Sequence, residues 1–128
     1  MIAVDTSALI AIVRGEPEAE FCQTILMQQD TLIIAAPTLT EALIVARGRG
    51  LESEMRELLD ELVPTIVPLT DQRARDAAQA HERWGKGIHP AGLNFGDCFA
   101  YALAAEHACP LLFVGNDFSR TDAVAATL

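Results

Sequence analysis

The chain has 128 residues, a formal net charge of −9 and a hydrophobic fraction of 51%. This length predicts one domain, residues 1–128, with a buried core, and the apolar content argues against a disordered chain. The acidic balance disfavours a non-specific nucleic-acid binder, because such proteins carry a basic stripe. An acidic protein can still bind nucleic acid if clustered carboxylates hold a metal ion, because the metal can face a phosphate.

Apolar runs predict short strands at residues 2–4, 31–36, 65–68 and 111–114. Helical spacing and start signals predict helices after Ser7, after Glu16-Pro17-Glu18, and at residues 38–47, 51–62, 70–84 and 95–107. Phe21 heads the apolar face of the second helix, and Phe95 begins the buried stripe of the last one. Residues 85–93 form the clearest loop, Asn94 caps the helix after it, and the tail at 123–128 could add an edge strand.

This alternation of strands and helices predicts a mainly parallel sheet with helices on both faces. The three cysteines form no C-x-x-C pair, so we expect reduced thiols in an intracellular protein. Asp5 interrupts the first apolar run, and no signal peptide or membrane span is visible. We therefore expect a soluble, cytoplasmic protein with no membrane partner.

Four acids should meet at one edge of this sheet. Asp5 ends the first strand, and Asp117 lies just past the fourth, after a Gly-Asn turn. Glu41 lies one turn into the helix after the second strand, and Asp97 lies in the first turn of the last helix. Parallel strands present their carboxyl ends at the same edge, where ligands of open α/β sheets bind.

Crowding these acids is costly, because two carboxylates about 4 Å apart repel by about 4 kcal/mol at an effective dielectric near 20. Mg²⁺ or Mn²⁺ would offset this repulsion, since hard cations prefer carboxylate oxygens. Taken singly, three of the acids have ordinary alternatives: a dipole-favoured acid at Asp97, a turn residue at Asp117 and a solvated helix acid at Glu41. Asp5 has few structural uses at the end of an apolar strand.

Four segments resemble the PIN-domain ribonucleases, specifically the VapC-type toxins of bacterial toxin–antitoxin pairs. They read V-D-T-S-A-L at the start, P-T-L-T-E-A at 37–42, L-N-F-G-D-C-F-A-Y-A-L-A at 93–104, and L-L-F-V-G-N-D-F at 111–118 followed by T-D. The resemblance implies a PIN-like three-layer α/β/α sandwich with a mainly parallel sheet of four to five strands. It also implies an RNA endonuclease that depends on Mg²⁺ or Mn²⁺.

Family roles carry over onto Asp5, Glu41, Asp97 and Asp117 as the catalytic and metal-binding acids. Asp5 and Asp97 match the most direct metal ligands, and the other two complete the site through water or a second ion. The polar positions Thr6, Ser7 and Asn116 match the surroundings of that site, and the role of Asp122 stays open. The implied reaction is phosphodiester hydrolysis by a metal-activated water, leaving 5′-phosphate and 3′-hydroxyl ends.

The resemblance also implies a cognate VapB-type antitoxin, a homodimer and a toxin–antitoxin hetero-oligomer. The antitoxin would lay a segment into a groove and place a basic residue near the acids. Candidate groove or dimer residues are apolar, with core packing as the default role: Leu9, Ile12, Val13, Met55 and Leu59. The RNA target, whether tRNA, rRNA or mRNA, stays open. Hypothetical phosphate contacts, with solvated surface charge as the default role, are Arg14, Arg83, Lys86 and His89.

Two other classes compete with this interpretation. A phosphatase of the haloacid-dehalogenase type would use Asp5 as a covalent nucleophile, but Ser7 occupies the position where that class has its second acid. A non-catalytic module that only binds a protein or RNA partner is the other alternative. Loss of RNA cleavage on replacing Asp5 by Asn separates the nuclease from both.

Overall fold

The computed structural model describes residues 1–128, which form four strands, six α-helices and a 3₁₀ turn at Phe118–Arg120. The strands are β1 (Ile2–Val4), β2 (Leu32–Ala35), β3 (Thr65–Val67) and β4 (Leu111–Leu112). The helices are α1 (Thr6–Arg14), α2 (Ala19–Met27), α3 (Ala36–Gly48), α4 (Glu52–Leu62), α5 (Asp71–Trp84) and α6 (Phe95–Glu106). None of the helices combines the length and apolarity needed to cross a lipid bilayer.

The four strands form one parallel sheet in the order β3-β2-β1-β4. The predicted mainly parallel sheet is therefore confirmed. The tail does not extend it as a strand, since it joins the sheet through a single parallel bridge between Leu111 and Ala125. β1 lies in the middle of the sheet, and Asp5 follows it directly at the carboxyl edge.

Helices cover both faces of the sheet, which gives the predicted three layers. Side chains alternate along β1, so Ile2 and Val4 belong to one buried cluster while Ala3 belongs to the other. The first cluster includes residues of α1 to α4, and the second includes residues of α5 and α6. Alternate residues of β1 therefore contribute to the two cores on opposite faces of the sheet.

Two predicted buried aromatic residues are on the surface. Phe21 is 41% exposed because α2 buries the adjacent stripe that begins at Cys22, about 100° further around the helix. Phe95 is 80% exposed at the open start of α6, where its ring packs edge-on against Phe99 with centroids 5.0 Å apart. The buried face of α6 is instead formed by residues from Asp97 to Ala104.

Strand and helix ends also differ from the predicted bounds. β4 ends at Leu112, before the predicted residue 114, because the Val114 N–H donates to the Ser7 hydroxyl instead of to a strand. α3 begins at Ala36, earlier than predicted, because Pro37 fits the first turn of a helix.

Candidate metal and catalytic site

Asp5 caps the first helix with its own side chain. Its Oδ2 accepts the Ser7 N–H at 3.0 Å and the Ser7 hydroxyl at 2.6 Å. The same hydroxyl accepts the Val114 N–H at 3.0 Å, so Ser7 ties Asp5 to the chain that leaves β4. Asp5 is 3% exposed, and its Oδ1 is buried with no hydrogen-bond partner. Burial is the main cause that raises the pKa of Asp5 above its ordinary range.

Glu41 reaches the same edge from α3. Its Oε1 accepts the Thr6 hydroxyl at 2.7 Å, while that hydroxyl lies 3.3 Å from the Thr38 carbonyl. A hydroxyl has one proton, so the shorter contact to the carboxylate is the donated bond. The other end of the Glu41 carboxylate lies against the backbone of Gly96 in α6. Glu41 therefore bridges α1 and α6.

Asp97 takes part in a capping box at the start of α6. The Asp97 N–H donates to Asn94 Oδ1 at 2.9 Å, and the Asn94 N–H donates to Asp97 Oδ2 at 3.0 Å. Burial raises the pKa of Asp97 to about 7, with the negative charges of Asp5, Asp117 and Glu41 adding to the effect. The capping box therefore fixes the Asp97 side chain, while the nearby carboxylates disfavour its ionised form.

Asp117 is the exposed member of the group. It follows the Gly115 turn, whose φ of 104° suits a glycine, and it directly precedes the 3₁₀ turn. Negative charge on Asp5, Asp117 and Glu41 contributes to the raised pKa of Asp97, so the four predicted acids influence one another electrostatically. We call Asp5, Glu41, Asp97 and Asp117 the acidic group.

Within the acidic group, the donor set suits a hard cation with few direct protein ligands. No three His, Cys, Asp or Glu side chains converge closely enough, as they stand, to hold a metal ion. Mg²⁺ commonly takes only one or two carboxylates and keeps several waters. The unpartnered, buried Oδ1 of Asp5 and the raised pKa of Asp97 are the features that a dication would relieve.

The polar positions beside the acidic group divide into two sets. Thr6 and Ser7 hydrogen-bond directly to Glu41 and Asp5. Asn116 is exposed, and its carbonyl accepts the Ser119 hydroxyl. Asp122 is engaged elsewhere: it accepts the Tyr101 hydroxyl and pairs with Arg83 at 3.4 Å.

The basic residues named as hypothetical phosphate contacts are partly engaged within the protein. Arg14 pairs with Glu16 at 3.5 Å. Arg83 lies over the Trp84 ring at 4.5 Å in addition to its pair with Asp122. The His89 ring packs edge-on against Trp84, and its Nδ1 accepts the Ala91 N–H. Lys86 is exposed and forms no ion pair.

The candidate groove residues include two that are fully in the core. Leu9 and Met55 are buried, so neither offers a surface to a partner, and their default core role is confirmed. The other three are partly buried and pack against the same core: Ile12, Val13 and Leu59.

Two features of the site went unpredicted. The spacing N-x-x-D at 94–97 is that of a capping box, although the acid is one carbon shorter than the usual Glu. Gly96, which lies in a helix beside Asp97, also signals a close approach by another group. The capping-box spacing is local and can be read from the sequence, whereas the group that approaches Gly96 is set by tertiary packing.

The PIN domain family model matches residues 2–124 of the chain. Among curated proteins, the ribonuclease VapC28 of Mycobacterium tuberculosis is 42% identical over 122 residues, which cover 92% of each chain. The chain therefore belongs to the PIN domain family, and its relatives in that family include proteins named VapC ribonucleases.

Solved structures share the fold. Mycobacterium tuberculosis VapC20, described as a Sarcin-Ricin loop cleaving toxin, superposes with a TM-score of 0.80 at 16% identity over 100% of both chains. A toxin–antitoxin complex from Klebsiella pneumoniae gives a TM-score of 0.74 at 20% identity and covers 98% of this chain and 97% of its own. These likenesses support the PIN-like α/β/α architecture.

Proposed function

We propose that the protein is a metal-dependent endoribonuclease, a single PIN domain that acts in the cytoplasm as the toxin of a VapBC-type pair. The acidic group carries this proposal, because Asp5 has a buried oxygen that lacks a partner and the charges of Asp5, Glu41 and Asp117 all raise the pKa of Asp97. The identity of 42% with a protein named as a ribonuclease supports the nuclease chemistry. The phosphatase alternative is disfavoured because Ser7 serves as a positioning hydroxyl on Asp5.

Asp5 and Asp97 would hold Mg²⁺ or Mn²⁺, with Glu41 and Asp117 completing the site through water. Asp5 offers Oδ1, because Ser7 occupies Oδ2. Asp97 has one oxygen engaged by the Asn94 N–H, which leaves the other available as a ligand. The cation, when bound, would neutralise phosphate charge and make a water a better nucleophile.

The protein's own residues orient the acids and exclude an alternative chemistry. Ser7 and Thr6 hold Asp5 and Glu41 by short hydrogen bonds, so both carboxylates are positioned before substrate arrives. The histidines serve local roles: His89 caps a turn, and His107 Nδ1 lies 3.0 Å from the Leu103 carbonyl. No histidine is among the groups that shift the pKa of Asp5 or Asp97, so we expect hydrolysis without the ribose 2′-hydroxyl and products with 5′-phosphate and 3′-hydroxyl ends.

A VapB-type antitoxin is the proposed inhibitor, within a toxin–antitoxin hetero-oligomer that contains a toxin homodimer. The net charge of −9 and the acidic group favour a partner that brings a basic side chain to this edge. A cation from the partner would relieve the same repulsion that a metal relieves. The proposed substrate is RNA, with tRNA, rRNA and mRNA all candidates.

The test is cleavage of defined tRNA, rRNA and mRNA by purified protein with Mg²⁺, Mn²⁺ or EDTA. We compare the wild type with Asp5→Asn, Asp97→Asn and a control, Asp60→Asn, at an exposed acid on α4. The two site variants should lose about 100-fold in rate or more, while the control cleaves normally. Cleavage that persists in EDTA, wild-type rates for Asp5→Asn, or 2′,3′-cyclic phosphate ends would contradict the proposal. A trapped aspartyl-phosphate at Asp5 would favour the phosphatase instead.

A further inference from the structure

The Glu41 carboxylate lies against Gly96 and occupies the space where a side chain at this position would begin. A Cβ atom at position 96 would be 2.9 Å from Glu41 Cδ and 3.0 Å from its Oε1, and it would be closer still to Oε2. Carbon atoms of a side chain do not approach a carboxylate so closely, so a side chain at position 96 and Glu41 would compete for the same space. Gly96 also sits between Phe95 and Asp97 in the first turn of α6.

The backbone does not require glycine at this position. Gly96 has no positive φ, whereas Gly15, Gly50, Gly87 and Gly115 do. A glycine in ordinary helical conformation weakens a helix relative to alanine. The feature that explains this glycine is therefore the space that it leaves for Glu41.

We propose that Gly96 is a positioning residue that admits the Glu41 carboxylate to the first turn of α6, next to Asp97. Thr6 holds Oε1 from the α1 side, and the open backbone of Gly96 receives the opposite end of the carboxylate. The positive end of the α6 dipole favours a negative charge at that location. This inference rests on the proposed function for its effect on cleavage, but its geometric content is independent of that function.

Gly96→Ala is expected to fold, because the three atoms nearest to the new Cβ all belong to the end of the flexible Glu41 side chain. To avoid the methyl group, the Glu41 carboxylate must shift, and we expect this shift to break its bond to Thr6. The matched control is Gly48→Ala: Gly48 is exposed, helical at the end of α3, and has open space where a Cβ would lie. Gly48→Ala should melt at or above the wild-type temperature, and Gly96→Ala should melt close to it, because the gain in helix propensity offsets the lost hydrogen bond.

The experiment is a double-mutant cycle on RNA cleavage with Mn²⁺, using wild type, Gly96→Ala, Glu41→Ala and the double variant. Gly96→Ala should lower kcat about tenfold or more with KM for RNA nearly unchanged, while Gly48→Ala stays within about twofold. The double variant should equal Glu41→Ala, because the shorter side chain removes the competition for space. Effects that multiply, or a Gly96→Ala variant with wild-type kcat, would overturn the proposal.

A crystal structure of metal-free Gly96→Ala provides the readout that does not depend on activity. The Glu41 carboxylate should be displaced from α6, with the hydrogen bond to Thr6 broken. A carboxylate that stays in place while the helix shifts would overturn the positioning role. If the wild type fails to cleave RNA, the proposed function fails, and the crystal structure still decides the role of Gly96.

Discussion

Replacing Asp97 by asparagine removes the charge that the rest of the acidic group opposes. Burial and the neighbouring carboxylates raise the pKa of Asp97 from 3.8 to about 7. The introduced amide side chain would keep an oxygen that accepts the Asn94 N–H, and the backbone N–H of the same residue would still donate to Asn94 Oδ1. The substitution therefore tests the cost of the charge while keeping the capping box.

Whether Asp97 raises or lowers the free energy of unfolding as pH changes depends on whether the native or the unfolded protein keeps the carboxyl proton. Below pH 3.8 the Asp97 carboxyl is protonated in both states and contributes nothing to the pH dependence. Between pH 3.8 and about 7 the unfolded chain releases this proton while the native protein retains it, so the free energy of unfolding falls as pH rises. The full loss is present above pH 7. The pKa difference between 3.8 and about 7, at about 1.36 kcal/mol per pH unit, sets an upper limit of about 4 kcal/mol on this loss in the free energy of unfolding.

The measurement is urea unfolding in EDTA at pH 4 and pH 8. Asp97→Asn should raise the free energy of unfolding by about 2–4 kcal/mol at pH 8 and change it by less than about 1 kcal/mol at pH 4. Asp60→Asn should show no such difference. Equal effects at both pH values, or a destabilised Asp97→Asn at pH 8, would refute the electrostatic reasoning.

Three further predictions concern hydrogen bonds and backbone strain. Ser7→Ala should cost about 1–3 kcal/mol in urea unfolding and slow RNA cleavage about tenfold, because the Val114 N–H loses its acceptor and Asp5 loses a donor. Tyr101→Phe should cost about 1 kcal/mol, measured by tryptophan fluorescence, since Trp84 Nε1–H loses its acceptor and Asp122 loses one of its two partners. Val63→Asn should gain about 1 kcal/mol in thermal unfolding, because this exposed, β-branched residue has φ of 45°.

Control substitutions separate the expected effects of Ser7→Ala and Val63→Asn from the general effect of changing a residue of the same type. Ser119→Ala removes an exposed hydroxyl that bonds only to a turn carbonyl, and it should leave stability and cleavage near wild type. Val124→Asn changes another exposed valine, one without positive φ, and should bring no gain. A loss in Ser119→Ala as large as in Ser7→Ala, a fully stable Tyr101→Phe, or a destabilised Val63→Asn would contradict the respective assignments.

The parallel sheet and its helices were predictable because the strands are short, apolar and separated by helical periods. Which residues of each helix are buried was not fully predictable, because Phe21 and Phe95 belong to apolar patterns and are nevertheless exposed. An aromatic residue within an amphipathic pattern indicates a core position, but Phe95 is the first residue of α6 and lies beyond the covered part of the helix. Where a helix begins relative to its neighbours depends on tertiary contacts that spacing does not encode.

The edge at which the acids meet followed from topology, whereas their detailed arrangement did not. Asp5 follows β1, so its position at the carboxyl edge depends only on strand direction. The contact between Glu41 and Gly96 depends on how α3 approaches α6, and no local pattern specifies that approach. The engagement of Asp122 by Tyr101 likewise joins residues from separate segments.

Anomalous diffraction from a crystal soaked in Mn²⁺ tests most directly whether the acidic group is a metal site. We predict a peak between Asp5 and Asp97 that is within ligand distance of Asp5 Oδ1 and is absent from Asp5→Asn crystals grown in the same form. Manganese bound only elsewhere on the surface, with Asp5 Oδ1 still unpartnered, would contradict the account.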